Sequence, residues 1–152
     1  MGFLLLLTAV CYGEDHAPLP AQVANAKTVF LVNGGGSDTA YDAFYAAMKQ
    51  WGHYQIVGYR DKADLIITIE YRTDYDGSSL LPIYNGYTKQ TTYYTQQIID
   101  PQIIMVVTDA RTGDELWSAV EHQKLVRLRR HVANEIGKAA DRLVEDLKSR
   151  MQ

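Results

Sequence analysis

Gly34-Gly35-Gly36-Ser37-Asp38-Thr39 stands between a strand-like run and a helix-like run, and it nearly matches G-x-G-x-x-G, with Thr39 in place of the last glycine. Glycines there could let backbone N–H groups approach an anion at a helix N-terminus. Asp38 and Asp42 put negative charge where a phosphate would sit, and no Lys-Ser/Thr pair follows, so the pattern reads as a strand-to-helix turn. His16, His53, His122 and His131 have no metal-ligand partner at i+3 or i+4. Asp74, Asp76 and Gly77 resemble the start of a calcium loop, but Leu80, Leu81 and Pro82 occupy the positions where further oxygen ligands belong. None of the serines lies in G-x-S-x-G or S-x-x-K. The residues therefore predict no catalytic group, no metal and no cofactor.

Binding chemistry is better represented. Of the 11 tyrosines, Tyr71, Tyr75, Tyr84, Tyr87, Tyr93 and Tyr94 crowd into the middle of the chain. Rings on a Gly- and Ser-rich loop offer contact area at low entropic cost, which suits sugar, peptide or protein surfaces. Tyr75, Tyr84 and Tyr87 are the candidates from this group. A basic run, Lys124, Arg127, Arg129, Arg130 and His131, precedes the last helix-like segment. Positive charge at a helix N-terminus opposes the macrodipole, so Arg127, Arg129 and Arg130 are candidates for an acidic partner, an acidic envelope polymer or an anionic membrane surface. A net charge of -3 argues against a general nucleic-acid binder.

Residues Met1 to Gly13 read as an export signal. Phe3 to Val10 is apolar and of signal-peptide length, too short for a membrane span, and Cys11 and Gly13 suit a cut before Glu14. The basic n-region is missing, which points to a start further upstream. Cys11 admits a second reading, as the acylated cysteine of a lipoprotein, with Val10 as the misfit in Leu7-Thr8-Ala9-Val10-Cys11. The expected location is the periplasm or the cell envelope. With Cys11 the only cysteine, the mature domain is held by packing alone.

The elements that must position these residues follow from periodicity. Residues 14–26, with Pro18 and Pro20, read as an extended arm, and 27–152 as one α/β domain. KTVFLV (Lys27 to Val32) is a strand; Tyr41, Phe44, Tyr45, Met48 and Trp51 make a helical stripe stopped by Gly52, with Thr39 and Asp42 as a capping box or Asp38 as N-cap. Tyr54 to Tyr59 reads as a strand, and Ala63 to Tyr71 as an alternating one. Residues 74–90 read as a turn-rich, Tyr-rich insert. Thr91 to Ile99 is β-prone and broken by Asp100-Pro101, and two strands flank Asp109 to Asp114 as a hairpin. The last segment is a helix, with Leu128, Val132, Ile136, Ala139 or Ala140, Leu143, Leu147 and Met151 at steps of three and four; Asn134 is a candidate cap, which would leave Leu128 and Val132 in a lead-in turn. The predicted fold is α/β (α+β): a mixed β-sheet of about five to six strands with two helices packed on one face. Its predicted core is Tyr41, Phe44, Met48, Trp51, Leu65, Ile67, Ile69, Ile103, Met105, Val107, Trp117, Leu143 and Leu147.

Several of these pieces form a recognisable series: KTVFLV, Lys49-Gln50-Trp51-Gly52, Lys62-Ala63-Asp64-Leu65-Ile66, the run from Val107 to Ser118 with its D-x-x-T-G-x-x-L-W pattern, and Leu143-Val144-Glu145-Asp146-Leu147. The series resembles small exported bacterial envelope proteins, including lipoproteins, and more distantly the periplasmic domain of the curli-secretion lipoprotein and the amino-terminal domain of TolB. The resemblance implies fold, export and a scaffold or assembly role, and it carries over no active site. The function expected is a non-catalytic exported envelope protein that binds an envelope partner or assembles with copies of itself. A small-molecule or glycan binder using the Tyr-rich loop is the alternative.

Overall fold

The computed structural model of the protein describes residues 19–125 and 129–151; the expected export signal with Cys11, His16, the basic Arg127 and Leu128 lie outside the described residues. In chain order the elements are helix α1 (Ala21–Asn25), strand β1 (Thr28–Gly35), helix α2 (Asp38–Trp51), strand β2 (Gln55–Ile56), strands β3 (Leu65–Asn85), β4 (Gln90–Asp109) and β5 (Glu115–His122), and helix α3 (Arg129–Ser149). The strands make one mixed sheet in the order β2-β1-β3-β4-β5. β1 runs parallel to β2 and β3, whereas β3, β4 and β5 form an antiparallel meander.

Period-two alternation decides which way the sheet faces. Val29, Leu31, Leu65, Ile67, Ile69, Ile103, Met105, Val107 and Trp117 are buried on one face, in register across four strands. Helices α2 and α3 pack on that face. α2 contributes Ala40, Phe44 and Met48 at steps of four, and α3 contributes Ile136, Ala139, Ala140, Leu143, Val144 and Leu147. Tyr41 and Trp51 are only partly buried at the margin of this core. The opposite face, with Phe30, Val32, Ile66, Ile104 and Val106, has no described helix on it.

Local chemistry moved several boundaries. The N-cap of α2 is Ser37, whose hydroxyl accepts from the Ala40 N–H; Asp38 instead accepts from Asn33 Nδ2, and Thr39 and Asp42 are already helical. Gly52 ends the helix in the left-handed region at φ 67°, donating to the Met48 carbonyl. The stretch from residue 14 is not extended to its end: α1 starts directly after Pro20, and Val23 on it is fully buried. Proline suits that place because the first helical N–H groups have no intrahelical acceptor. Tyr54 holds α1 down, its buried hydroxyl donating to the Val23 carbonyl at 2.8 Å. The segment from Tyr54 to Tyr59 pairs with β1 only at Gln55–Ile56. Helix α3 begins at Arg129, ahead of Asn134, which makes Val132 helical and packs it against the core.

The largest departure is the segment 74–90. It is not a turn-rich loop: β3 and β4 remain paired from Leu65↔Asp109 to Asn85↔Gln90, so the sheet's central hairpin runs on as a two-stranded arm far beyond the core. At about 3.3 Å per residue, the part of β3 after Tyr71 reaches roughly 40 Å. Asp100-Pro101 does not break β4 either. The Pro101 carbonyl accepts from Gln123 N, so its backbone faces the β5 side just where β5 ends, and no ladder donor is lost.

Candidate functional site

Built upward from its root, the arm starts in a cluster of charges and beyond it keeps a single one. On β3, Glu70 and Arg72 form an ion pair at 3.0 Å. On β4, Asp100 accepts from Gln102 Nε2 at 2.7 Å and contacts His122 Nδ1 at 2.8 Å, and hydrogen bonding by His122 holds its carboxyl below the usual range. Tyr71 closes the core at this level by donating to the buried Gln123 side chain at 2.9 Å. Beyond the root, Lys89 is the one charged residue between Gly77 and Ile99.

A two-stranded ribbon has no layer to bury against, so its apolar residues stay in water. Leu80, Leu81, Ile83, Tyr84, Tyr93 and Tyr94 are all exposed, and every β4 residue from Gln90 to Ile99 is exposed. Register divides them between faces. The face continuous with the core carries Leu80, Pro82, Tyr84 and Tyr93, and the other carries Leu81, Ile83, Tyr94 and Ile98. A bulge at Gly77, φ 95°, sets this phase by giving β3 an extra residue between Tyr75↔Ile99 and Ser78↔Gln97. At the tip, Asn85 Oδ1 accepts from Tyr87 N and Thr88 N, Lys89 takes φ 53°, and Tyr87 is fully exposed. Isolated two-stranded hairpins are marginal in water, and apolar surface on both faces marks a contact site.

The candidate residues therefore fall in two places. Tyr84 and Tyr87 lie at the arm's outer end and Tyr75 lies in β3 opposite Ile99, on a ribbon instead of a loop. Arg129 and Arg130 open α3, and Lys124 and His131 are exposed on either side of the segment that leads into it. Leu125, before that segment, lies beside the arm's base, lining an open cavity of about 530 Å³ with Ser79 and Gln96 to Ile99. Sequence reasoning missed Leu80, Leu81, Ile83, Tyr93 and Tyr94 as presented surface. The signal available was the scarcity of charge over Gly77 to Ile99, where Lys89 stands alone.

Polar side chains elsewhere are occupied by structure. A cleft of about 740 Å³ lies at the far end of the sheet and includes Lys27, Arg60, Asp64, Asp109 and Arg111. Its two best-placed carboxylates already serve the backbone. Asp64 Oδ2 accepts from Lys27 N, Thr28 N and Thr28 Oγ1, tying β1 to β3, and Asp109 Oδ1 accepts from Arg111 N and Thr112 N in the β4–β5 turn. Those backbone donors stabilise the anions and hold both carboxyls below the usual range, the opposite of what a general acid needs. Among the described residues no group of three or more His, Cys, Asp or Glu is placed to hold a metal ion. The Asp64 arrangement has a pH consequence. Its folded pKa is depressed, so its contribution is complete above the unfolded carboxylate pKa and fades as pH falls through the folded value. Asp64→Ala should cost about 1 kcal/mol at neutral pH, as loss of a capping carboxylate does, and the deficit should shrink below about pH 4. Denaturant melts across pH check this; a deficit independent of pH would refute it.

Fold and arm together define a small α+β domain that presents a projecting ribbon. No protein-family model matches the chain, and no curated protein matches it in sequence. Among solved structures it is similar to a PelC dodecamer from Paraburkholderia phytofirmans, at 12% identity and a TM-score of 0.50, covering 90% of this chain and 93% of that one. Uncharacterized lipoprotein B from Nitrosomonas europaea is similar at 12% identity and a TM-score of 0.44, covering 87% of each chain. A lipoprotein from Neisseria meningitidis is similar at 13% identity and a TM-score of 0.38, covering 81% of this chain and 99% of that one. At 12% identity the likeness to PelC is one of fold.

Proposed function

We propose that this protein is a non-catalytic, exported envelope module that assembles with copies of itself and uses the arm to do so. The observation that carries the reading is the arm: a ribbon with Lys89 as its one charge beyond Gly77 and exposed apolar side chains on both faces, projecting from a domain whose core is complete without it. Selection against such surfaces is strong in a monomer. The export leader supports the location, and the similarity to PelC, solved as a dodecamer, supports assembly from copies. Arg127, Arg129 and Arg130 remain candidates for an acidic partner or anionic lipid. Glycan binding by Tyr84 and Tyr87 has less support, since the cavity beside the arm is lined by Ser79, Gln96, Gln97, Ile98, Ile99 and Leu125, with neither ring on its wall.

Two measurements test the reading. Expressed in a Gram-negative host from an upstream-extended start, the protein should fractionate with the envelope or periplasm; retention in the cytoplasm would overturn export. Sedimentation equilibrium of the purified protein should give a mass above the monomer's at about 100 µM, a concentration that detects even weak association. A monomer there would overturn self-assembly.

A further inference from the structure

The arm has two outer edges, and they are not equivalent. Backbone direction alternates along an antiparallel strand, so every second residue points its N–H and C=O away from the partner strand. On β4 the phase is fixed twice: the Pro101 carbonyl accepts from Gln123 N, and Asp109 N donates to the Asp114 carbonyl, both on the side away from β3. Odd-numbered residues of β4 therefore point outward. Thr91, Tyr93, Thr95 and Gln97 turn their N–H groups to that side, and no described residue pairs with β4 there. On β3 the outward positions include Pro82, which lies opposite Tyr93 and has no N–H, and the edge is bent by the bulge at Gly77. Proline and a bulge are two of the devices that blunt a strand edge against pairing. The β3 edge carries both, and the β4 edge from Thr91 to Gln97 carries neither.

The remaining edges of the sheet are also managed. β2 is two residues long. β5 carries Glu115 and Glu121, and Arg142 from α3 reaches its end, donating to Glu121 Oε2 at 2.8 Å and to the His122 carbonyl at 3.1 Å. Among the described residues, one edge alone is thus left long, regular and uncharged.

We propose that the β4 edge from Thr91 to Gln97 pairs antiparallel with the same edge of a second copy, joining two arms into a four-stranded ribbon. The inference rests on the assembly reading above and names its surface. A second copy fits for a specific reason. In a two-fold pairing residue i meets j and j meets i, so a strand edge fails against itself when it carries charge. Gln90 to Ile99 contains no charged residue, and its Thr, Tyr and Gln side chains can face one another without penalty. A head-to-tail pairing would need the β3 edge, where Pro82 withholds a donor.

Sedimentation of the full chain against two variants tests this. Thr95→Pro deletes an outward N–H and leaves the β3–β4 ladder intact, just as Pro82 and Pro101 already do at outward positions. Tyr94→Lys changes no backbone group and sets like charges close together across the two-fold. Each should weaken self-association by at least about tenfold, with circular dichroism and the melting temperature of the dilute protein unchanged. Amide exchange at Tyr93 and Thr95 should slow as the wild-type concentration rises. Association that neither variant weakens would overturn the edge pairing and leave the assembly reading standing on another surface. A wild type that stays monomeric at about 100 µM would overturn both.

Discussion

Gly36→Ala should cost the fold more than about 3 kcal/mol, which for a chain of this size lowers the melting temperature by roughly 10 °C. Two effects add. Gly36 sits at φ 84°, where a side chain is strained, and a Cβ built there would lie 1.7 Å from the Tyr71 carbonyl oxygen. That neighbour is main chain of β3 at the level where the arm begins, so it cannot move aside without disturbing the ladder to β4. Gly35 is the internal control. Its φ is 111°, but a Cβ there meets nothing within 4 Å, so Gly35→Ala should cost about 1–2 kcal/mol of backbone strain alone. Equal losses at the two positions, measured by denaturant titration, would show that β1 does not approach β3 as closely as described. Packing explains Gly34 and Gly36, and backbone conformation Gly35: Gly34 abuts Thr68 Cγ2, at 2.9 Å from its hypothetical Cβ.

The second large effect separates core from arm. Phe44 is fully buried between α2 and the sheet, and Phe44→Ala should cost about 3–5 kcal/mol, combining lost apolar transfer with the cavity left behind. Leu81→Ala on the arm removes a side chain that is 45% exposed and should change monomer stability by no more than about 0.5 kcal/mol. Both are checked by chemical denaturation at a concentration low enough to keep the protein monomeric. A Leu81→Ala loss comparable with that of Phe44→Ala would mean that the arm belongs to the folding core, removing the reason to assign it to assembly.

The sequence by itself determined the layers of this protein. Alternation at Leu65, Ile67 and Ile69 and at Ile103, Met105 and Val107, and the four-residue steps Ala40, Phe44, Met48, specify which faces meet, because side-chain direction follows from local periodicity alone. Eleven of the thirteen predicted core residues are buried, and Tyr41 and Trp51 stand at the core's margin. The tertiary structure decided whatever depends on which way a backbone group points in the assembled sheet. Gly77, Pro82, Gly86 and the pair Asp100-Pro101 carry the same local signals whether they end a strand or lie within one. Pro82 and Pro101 are tolerated in long strands because their missing N–H groups face away from a ladder partner, and Gly77 is absorbed by a bulge. The choice between Ser37, Asp38 and Thr39 as N-cap was set likewise by Asn33, which draws the Asp38 carboxylate away. For the same reason the arm, and with it the candidate site, was not legible as a strand pair: its residues reveal their role only once β3 and β4 are seen to continue past the core, leaving one edge of β4 without a partner among the described residues.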